Sequence, residues 1–382
     1  MLRYCTQCLY PDTKPDLWFD EQGTCSACRA FAERKAVDWE DRRRQFLELT
    51  ARYRCTDGSN YDCIVPVSGG KDSTYQVVRL LQHGLNPLCV TAMTDSLSDI
   101  GRRNLDNIAK LGVDHIAVTM NPVLRRRLNR IALTEIGDIS WPEHVAIFTV
   151  PVRMAARLKI PLLVWGENSQ NEYGGPAAAQ QDNILNRRWL EEFGGLLGLR
   201  VTDLIGLDGI EPRNLIQYTY PTDAELKSAG TTGLFLGYYF PWDGYQNALI
   251  SQGYGFETFP SVVEGSLANY ENLDNYQTGI HDYFKFLKFG FGRATDIASN
   301  HIRRGRLTRN DAVALVRRHE GRFPWTYLGR PIEAILHEID MTLDEFHGVC
   351  DRFTNKRLFR LDNRGKPVRD RDGNLIPEFT LN

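Results

Sequence analysis

The feature that most constrains this chain is the hexapeptide Ser-Gly-Gly-Lys-Asp-Ser at residues 68–73. The apolar run Tyr61–Val67 precedes it and the helix-patterned stretch Thr74–Gln82 follows it, which predicts a strand, a glycine turn and a helix in succession. This arrangement aims backbone N–H groups and the positive end of a helix dipole at a bound anion, and a nucleotide phosphate is the best candidate. A Walker A loop is excluded, because the glycines are adjacent and Asp72 follows Lys71. The alternative interpretation is a chance glycine turn with a capping serine.

Four of the eight cysteines form two pairs with the spacing of a metal site. Cys5 and Cys8 make one Cys-x-x-Cys knuckle, and Cys25 and Cys28 make a second one. Two such knuckles supply the four thiolates of a structural zinc ribbon, whereas a disulfide interpretation requires an oxidising compartment. The remaining cysteines have no pair spacing and are predicted to be mostly core thiols: Cys55, Cys63, Cys89 and Cys350.

Strand and helix patterns alternate from residue 62 onward. Near-continuous apolar strands separated by helices predict a parallel, doubly wound α/β sheet covered on both faces. The strands are predicted at Ile64–Val67, Pro87–Met93, His115–Thr119 and Pro161–Trp165. An amphipathic linker helix is predicted over Phe31–Tyr53 and a charged surface tail over Asn355–Asn382. We therefore expect three regions: a zinc ribbon with its linker helix at 1–50, the sheet domain at 51–300, and a helical C-terminal region with its tail at 301–382.

Two further loops are expected at the same edge of the sheet as the Ser68 loop. One follows the second strand and contains Thr91, Met93 and Thr94, and the other follows the fourth strand and contains Gly166, Glu167 and Asn168. Ligands of such sheets bind at the carboxyl ends of the strands, so these residues are candidate ligand contacts. A polar surface loop is the alternative for the second loop.

Three cations stand in an otherwise apolar, glycine-containing stretch at residues 281–296. Lys285, Lys288 and Arg293 would be costly there without partners, so an anionic ligand is one explanation. Local ion pairs to Asp282 or Asp296 are the other. The aromatic-rich region at 216–291 is interpreted mainly as packing.

Composition narrows the class of protein. The chain has 382 residues, 42% of them hydrophobic, and 46 basic against 48 acidic residues give a net charge of −2. This near-neutral charge does not favour nucleic-acid binding. There is no apolar run long enough to span a membrane, and Met1–Arg3 leads into the cysteine motif rather than a signal peptide, so a soluble cytoplasmic protein is expected. The eight histidines show no paired-ligand spacing and are assigned no metal.

The Ser-Gly-Gly-Lys-Asp-Ser loop resembles the pyrophosphate loop of the ATP pyrophosphatase (PP-loop) superfamily, which includes the adenine-nucleotide alpha hydrolase fold. Together with the four cysteines, the stretch from Trp165 to Gly175 and the stretch from Lys288 to Asp296, it resembles the N-acetyl sugar amidotransferases over most of residues 1–320. These enzymes make acetamidino groups on bacterial surface sugars such as the lipopolysaccharide O-antigen. The resemblance implies that ATP adenylates an acetamido oxygen, that ammonia replaces it, and that AMP and pyrophosphate are released.

The resemblance also implies roles for individual residues. ATP would be held by Ser68, Gly69, Gly70, Lys71, Asp72 and Ser73, with contacts from Thr91, Met93, Thr94, Gly166 and Asn168. Asp72 would bind part of a Mg²⁺ ion, and Lys285, Lys288 and Arg293 would neutralise the departing pyrophosphate. Glu167 would position the acetamide nitrogen or take a proton from the attacking ammonia.

The source of ammonia implies a partner. Residue 2 is Leu, so an N-terminal cysteine glutaminase is not expected, and no nucleophile-elbow module is recognised. A separate glutaminase subunit is therefore implied, accompanied in related systems by a cyclase-like barrel protein. Two alternatives stay open: a PP-loop tRNA-modifying sulfurtransferase, and a zinc-ribbon interaction protein with an inactive nucleotide fold.

Overall fold

The centre of the molecule is a six-stranded sheet. In this computed structural model the described residues are 2–94, 96–166, 184–185 and 198–381. The strands lie in the order β3-β2-β1-β4-β6-β5, and all neighbours are parallel except β5, which pairs antiparallel to β6. Their bounds are β1 Cys63–Pro66, β2 Pro87–Ala92, β3 Asp114–Val118, β4 Leu162–Trp165, β5 Ile184–Leu185 and β6 Thr232–Phe235. The prediction of a parallel α/β sheet is confirmed.

Side chains of the inner strands alternate between two buried clusters. In β1, Cys63 and Val65 belong to one cluster and Ile64 to the other. In β4, Leu162 and Val164 lie on the first side, opposite Leu163 and Trp165. Because both faces exclude water, these strands read as continuous apolar runs, and this made them predictable.

Helices cover both faces of the sheet. Apolar side chains of α2, α3 and α4 enter one cluster, and those of α5 and α6 enter the other. Of the helices that the structure describes, none is both long enough and apolar enough to cross a membrane. The helices up to this point of the chain are α1 Ser26–Arg34, α2 Trp39–Ala51, α3 Lys71–Gln82, α4 Asp99–Lys110, α5 Pro122–Ile136 and α6 Trp141–Leu158.

The predicted linker helix over Phe31–Tyr53 is wrong in its continuity. The chain forms α1 and α2 instead, separated by residues 35–38. The carboxylate of Asp38 accepts hydrogen bonds from the backbone N–H groups of Glu40 and Asp41, so it caps a new helix. An aspartate in this role favours a fresh helix start over an uninterrupted helix.

The C-terminal half adds a second, mainly helical layer with its own apolar core. The predicted surface tail is wrong in part, since Leu358, Phe359 and Leu375 are buried in that core and short antiparallel bridges such as Phe359 to Pro377 tie the segment together. Its charged residues concealed these few apolar anchors. The remaining elements are α7 Asp223–Ala229, α8 Leu236–Tyr239, α9 Gly244–Gln252, α10 Thr278–Phe289, α11 Arg293–Arg303, α12 Arg309–His319, β7 Thr326–Tyr327, β8 Arg330–Pro331, α13 Ile332–His337 and α14 Leu343–Phe353.

Candidate nucleotide-binding site

A cavity of about 560 Å³ opens at the carboxyl ends of β1, β2 and β4. Chain connections diverge between β1 and β4, which are neighbours in the sheet but not in sequence. Such switch points are where open α/β sheets bind ligands. The residues of the predicted site that line this cavity are Ser68, Asp72, Ser73, Thr91, Met93, Thr94, Gly166 and Arg293.

The Ser68 loop has the strand–turn–helix geometry expected from its sequence. Gly69 has φ +83°, and an added Cβ would lie 2.5 Å from the backbone nitrogen of Leu105 in α4. Gly70 is the N-cap of α3, which begins at Lys71, and the Ser73 hydroxyl donates to the Gly70 carbonyl at 3.0 Å. The first N–H groups of a helix have no intrahelical partner, so this loop offers donors and a positive dipole end to an anion.

The ammonium of Lys71 lies between two carboxylates. Its Nζ is 2.6 Å from Asp72 Oδ2 and 3.0 Å from Glu271 Oε1, and its side chain is only 8% exposed. Asn247 Nδ2 donates to Asp72 Oδ1 at 2.8 Å, and the Ser251 hydroxyl donates to the Lys71 carbonyl at 2.7 Å, so α9 supports this end of α3. The cation is therefore held in place by charge and by a neighbouring helix.

The same pair of carboxylates fits a magnesium ion. Mg²⁺ prefers carboxylate oxygens together with phosphate oxygens, and Asp72 and Glu271 face one cation within 3.0 Å at the phosphate loop. These two residues could hold the ion, which would supply positive charge next to the phosphates. Lys71 and Asp72 also line a second, smaller cavity of about 40 Å³ that contains Arg304 and Arg306.

The loop after β2 contributes one unsatisfied hydroxyl. Thr91 is already bonded, since its hydroxyl donates to the Val67 carbonyl at 2.6 Å and lies 2.8 Å from His115 Nε2. Met93 donates its backbone N–H to Val118. The Thr94 hydroxyl is buried, lines the cavity, and has no hydrogen-bond partner among the described residues. Thr94 is thus the member of this trio best suited to bond a ligand.

The wall opposite the sheet edge comes from α6 and from residues 272–293. One face of α6 lines the cavity with Glu143, His144 and Phe148, and the later segment adds Asn272, Asp274, Asn275, Thr278 and His281. Residues 96–98 tie this segment to the sheet side, because Ser98 N donates to the Asp274 carbonyl at 3.0 Å and Tyr276 N donates to the Ser96 carbonyl at 2.9 Å. The cavity is therefore built from distant parts of the chain.

Asp274 is an acid on the cavity wall opposite the sheet edge, within hydrogen-bonding reach of Ser68. Burial and the nearby charge of Glu143 raise the pKa of Asp274 to about 6, although a hydrogen bond with Ser68 and the charge of Lys71 oppose the shift. Perturbed acids of this kind gather at functional sites more often than elsewhere. The hydrogen bond between Asp274 and Ser68 thus links the opposite wall to the Ser68 loop.

The three cations at 285–293 occupy different positions. Arg293 lines the cavity and forms a two-pronged ion pair with Asp282, at 3.1 and 2.9 Å. Lys285 pairs with Asp296, and Lys288 donates to the Ile136 carbonyl at 2.7 Å. Neither lysine is among the described residues that line the cavity. Protein groups thus satisfy all three cations, which is the local ion-pair alternative raised by the sequence for Lys285 and Arg293.

The four paired cysteines converge on one buried point. Their Sγ atoms all lie within 4.8 Å of one another, and Cys8 to Cys25 and Cys5 to Cys28 measure 3.6 and 3.9 Å. Zinc–sulfur bonds of about 2.3 Å in a tetrahedron place sulfurs about 3.8 Å apart, so the donor set fits zinc. The backbone N–H of Cys25 also donates to Cys5 Sγ at 3.2 Å, which would stabilise a thiolate at Cys5.

A buried cation and an aromatic ring complete the surroundings of the cysteines. Burial opposes the charge of Arg303, but Tyr10 and the sulfurs of Cys8, Cys28 and Cys25 raise the pKa of its guanidinium. Phe291 packs in the same cluster, and Leu9 N donates to Ser299 Oγ at 3.3 Å. The cluster therefore rests on α11 and on the connection that leads into it.

Sequence reasoning missed several residues at this site. Glu271, Asn247, Asp274, His144 and His281 carry no local motif, and the aromatic-rich region that contains some of them was interpreted as packing. Glu271 to Asp274, a short acidic stretch among aromatic residues, is the signal that could have been noticed. Glu167 and Asn168 lie outside the described residues.

The comparisons with known proteins concern two parts of the chain. Residues 264–369 match the family model described as LPS biosynthesis protein WbpG-like, C-terminal domain. This stretch includes the cavity wall from Asn272 to Arg293. The solved structure of NMN synthetase from Francisella tularensis is similar over 57% of this chain and 96% of that chain, at 12% sequence identity and a TM-score of 0.28. No curated protein matches the sequence.

Proposed function

We propose that this protein is an ATP-dependent amidotransferase that converts the acetamido group of an N-acetyl sugar into an acetamidino group during lipopolysaccharide or related surface-glycan synthesis. The observation that carries the proposal is that the Ser68 loop and the segment matching a lipopolysaccharide-biosynthesis domain line one cavity. The loop is an argument for a nucleoside triphosphate as one ligand, and the matching segment is an argument for a sugar acceptor as the other. The resemblance of the motifs to the N-acetyl sugar amidotransferases supplies the reaction.

The chemistry of an acetamide explains why ATP is needed. Its carbonyl carbon is a poor electrophile, and its oxygen is a poor leaving group. Transfer of AMP to that oxygen releases pyrophosphate and makes AMP the leaving group when ammonia attacks the carbon. The enzyme's main contribution is placement and fixed positive charge, since negative charge accumulates on the transferring phosphate.

Residues of the phosphate loop would supply most of this charge. We propose that the N–H groups of Ser68–Ser73 and the Lys71 ammonium bind the terminal phosphates, and that Asp72, with Glu271, holds Mg²⁺. Thr94, whose hydroxyl has no partner among the described residues, would contact the nucleoside, as would Thr91, Met93, Gly166 and Asn168. Of the three cations proposed to neutralise pyrophosphate, Arg293 has the best support, because it lines the cavity, whereas Lys285 and Lys288 do not. Glu167 keeps its proposed role near the reacting amide.

Ammonia is proposed to come from a separate glutaminase subunit, together with a cyclase-like barrel protein, as the resemblance implies. We also propose that the cysteine cluster holds a structural Zn²⁺ ion. With four protein ligands, such an ion has no open position for substrate and would act on stability rather than on the reaction.

The test is a reconstitution with purified protein, Mg²⁺, ATP, ammonium chloride and a panel of nucleotide-linked and free N-acetyl sugars. We expect AMP and pyrophosphate in equal amounts, together with a sugar whose mass has changed by the replacement of oxygen with NH. Omission of the sugar should abolish pyrophosphate release. Omission of ammonium should abolish the amidine.

Three outcomes would contradict the proposal. Formation of ADP would indicate phosphorylation instead of adenylation. Release of pyrophosphate that requires tRNA and a sulfur donor would favour the sulfurtransferase. Absence of nucleotide binding in calorimetry with Mg²⁺ would favour an interaction protein with an inactive nucleotide fold.

A further inference from the structure

Two histidines from different elements meet on the cavity wall that faces the sheet edge. His144 lies in the first turn of α6 and His281 lies in α10, and their rings are 5.3 Å apart at an interplanar angle of 82°. Both line the cavity. The side chain of Asp138 is 5% exposed and contacts both histidines. Its Oδ1 lies 2.7 Å from His281 Nδ1, and its Oδ2 lies 3.8 Å from His144 Nδ1.

The two imidazoles have different partners. His281 is fixed by the short hydrogen bond to Asp138, whereas the Nδ1 of His144 is buried and has no hydrogen-bond partner among the described residues. A buried, unpartnered ring nitrogen normally costs free energy, and a catalytic role is one reason why such a group is retained. The His144 side chain is nevertheless 30% exposed and lines the cavity, while its buried Nδ1 lies on the side of Asp138.

Their protonation states are also expected to differ. Burial lowers the pKa of His144 below the ordinary imidazole value, and this effect exceeds the opposing attraction of Asp138. Burial also acts on His281, but the charge of Asp138 and its hydrogen bond raise the pKa of His281. Paired groups with pKa values pushed apart are the usual arrangement for a base beside a charged donor. The charged groups that face this pair from the surrounding elements are Glu143, Asp138, Arg125, Asp282 and Arg293.

We propose that His144 is the catalytic base that takes a proton from the attacking nitrogen nucleophile, and that the Asp138–His281 pair is the positioning unit that orients it and the acceptor oxygen. This inference rests on the proposed function and deepens it. The cavity supports it, because its walls bring these imidazoles and the Ser68 loop to a common space where a reacting amide would lie between nucleotide and base.

Amidine formation needs an acceptor for one proton of ammonia and a leaving group on the amide carbon. The lone pair of ammonia forms the new nitrogen–carbon bond at the adenylated amide carbon. One proton passes from that nitrogen to His144, and the carbon–oxygen bond to AMP breaks with its electron pair leaving on the phosphate oxygen. Proton transfer of this kind contributes on the order of 10²–10⁴-fold to rate in enzymes.

The experiment separates the two halves of the reaction. Acceptor-dependent exchange of labelled pyrophosphate into ATP reports adenylation and requires no ammonia, while amidine formation reports both halves. For His144→Gln we expect unchanged exchange but a loss of at least about 10²-fold in amidine formation. For His281→Gln we expect a smaller loss, with a raised KM for the acceptor. His337→Gln, an exposed histidine in α13, is the matched control and should behave like the parent protein.

A pH profile and chemical rescue test the role further. With rates expressed per free ammonia, the parent protein should lose activity as pH falls through the lowered pKa of His144, and His144→Gln should lack that limb. Added imidazole should restore part of the activity to His144→Ala. Zinc content and ATP affinity equal to those of the parent protein would show that both variants are folded.

The outcomes distinguish the two proposals. No exchange in the parent protein with any N-acetyl sugar would overturn the proposed function and this inference with it. Normal exchange in the parent protein, with full amidine formation by His144→Gln, would overturn the inference alone. Equal losses in both half-reactions, without imidazole rescue, would assign His144 a structural role and likewise overturn it.

Discussion

Two carboxylates hold the ammonium of Lys71 in place at the end of the Ser68 loop. With its side chain 8% exposed, Lys71 is partly desolvated, and Asp72 and Glu271 offset that cost. A triphosphate with its metal would offer the same ammonium new anionic partners while the carboxylates bind the metal. The proposed phosphate ligand would therefore meet an ammonium that is already held in place.

Lys71→Ala should abolish turnover without affecting the cysteine cluster. Removal of a preorganised charged donor typically lowers kcat by about 10²–10³-fold, and here it also leaves two carboxylates facing the phosphates. Pyrophosphate release measures the loss, and zinc analysis should be unchanged. Lys110→Ala, at the exposed end of α4, is the control, and comparable losses in both variants would refute a specific role for Lys71.

Asp274 should make stability depend on pH in a defined direction. Its pKa of about 6 in the folded protein exceeds the ordinary value of an unfolded aspartate, so the folded state binds the proton more tightly. Its contribution to stability is therefore favourable at low pH and is lost as pH rises through about 6. Asp274→Asn should raise the melting temperature more at about pH 8 than at about pH 4. Asp106→Asn, an exposed residue of α4, controls for removal of one negative charge.

At the scale of elements, the turn between β1 and α3 is constrained from two sides. Gly69 has a left-handed backbone conformation, and α4 passes so close that a Cβ would meet its backbone. A helix backbone cannot yield as a side chain can. The turn therefore fixes both the direction of α3 and the position of α4.

Gly69→Ala should destabilise the protein by more than about 1 kcal/mol and abolish ATP binding, because the backbone conformation and the contact with Leu105 are both incompatible with a Cβ. Thermal unfolding and calorimetry measure the two effects. Gly348→Ala is the control: that glycine lies within α14, and its Cβ would meet nothing within 4 Å. This control should be neutral or stabilised by roughly 0.5–1 kcal/mol.

Helices, strands and turns were predictable from the sequence where a local sequence pattern alone determined the structure. The strands β1, β2 and β4 are buried on both faces, so their sequence is apolar throughout, and the Ser68 loop contains its own turn and cap. By contrast, β6 is a four-residue strand in an aromatic stretch, with no periodicity to reveal it. Lys71 and Glu271, like His144 and His281, are far apart in the sequence and come into contact only in the folded chain. No spacing in the sequence reports such contacts, so this half of the site needed the structure.

At the scale of the whole molecule, the cysteine cluster braces the C-terminal layer. It packs on Phe291, and the hydroxyl of Thr13 donates to the Phe289 carbonyl at 2.5 Å, which fixes the connection between α10 and α11. Arg293, which follows this connection, lines the cavity. The cysteine cluster thus supports one wall of the cavity.

Cys25→Ser should lose the metal, lower the melting temperature and increase hydrogen exchange at residues 289–303, because metal binding and folding of such ribbons are linked. Elemental analysis and exchange measured by mass spectrometry provide the readouts. Cys55→Ser should retain zinc, since Cys55 lies outside the cluster. Metal loss without any change in stability or exchange would show that the cluster does not brace this layer.

Backbone hydrogen bonds between residues 96–98 and 274–276 join the sheet side of the cavity to the segment that matches the family model. The Ser68 loop follows the first strand of the sheet, while the opposing wall comes from α6 and from the later stretch 272–293. Under the proposed function, substitutions in the later stretch would alter recognition of the acceptor while the Ser68 loop keeps its contacts with ATP. On the same premise, a chimera that exchanges residues 264–369 between relatives is expected to convert a different sugar while it still uses ATP.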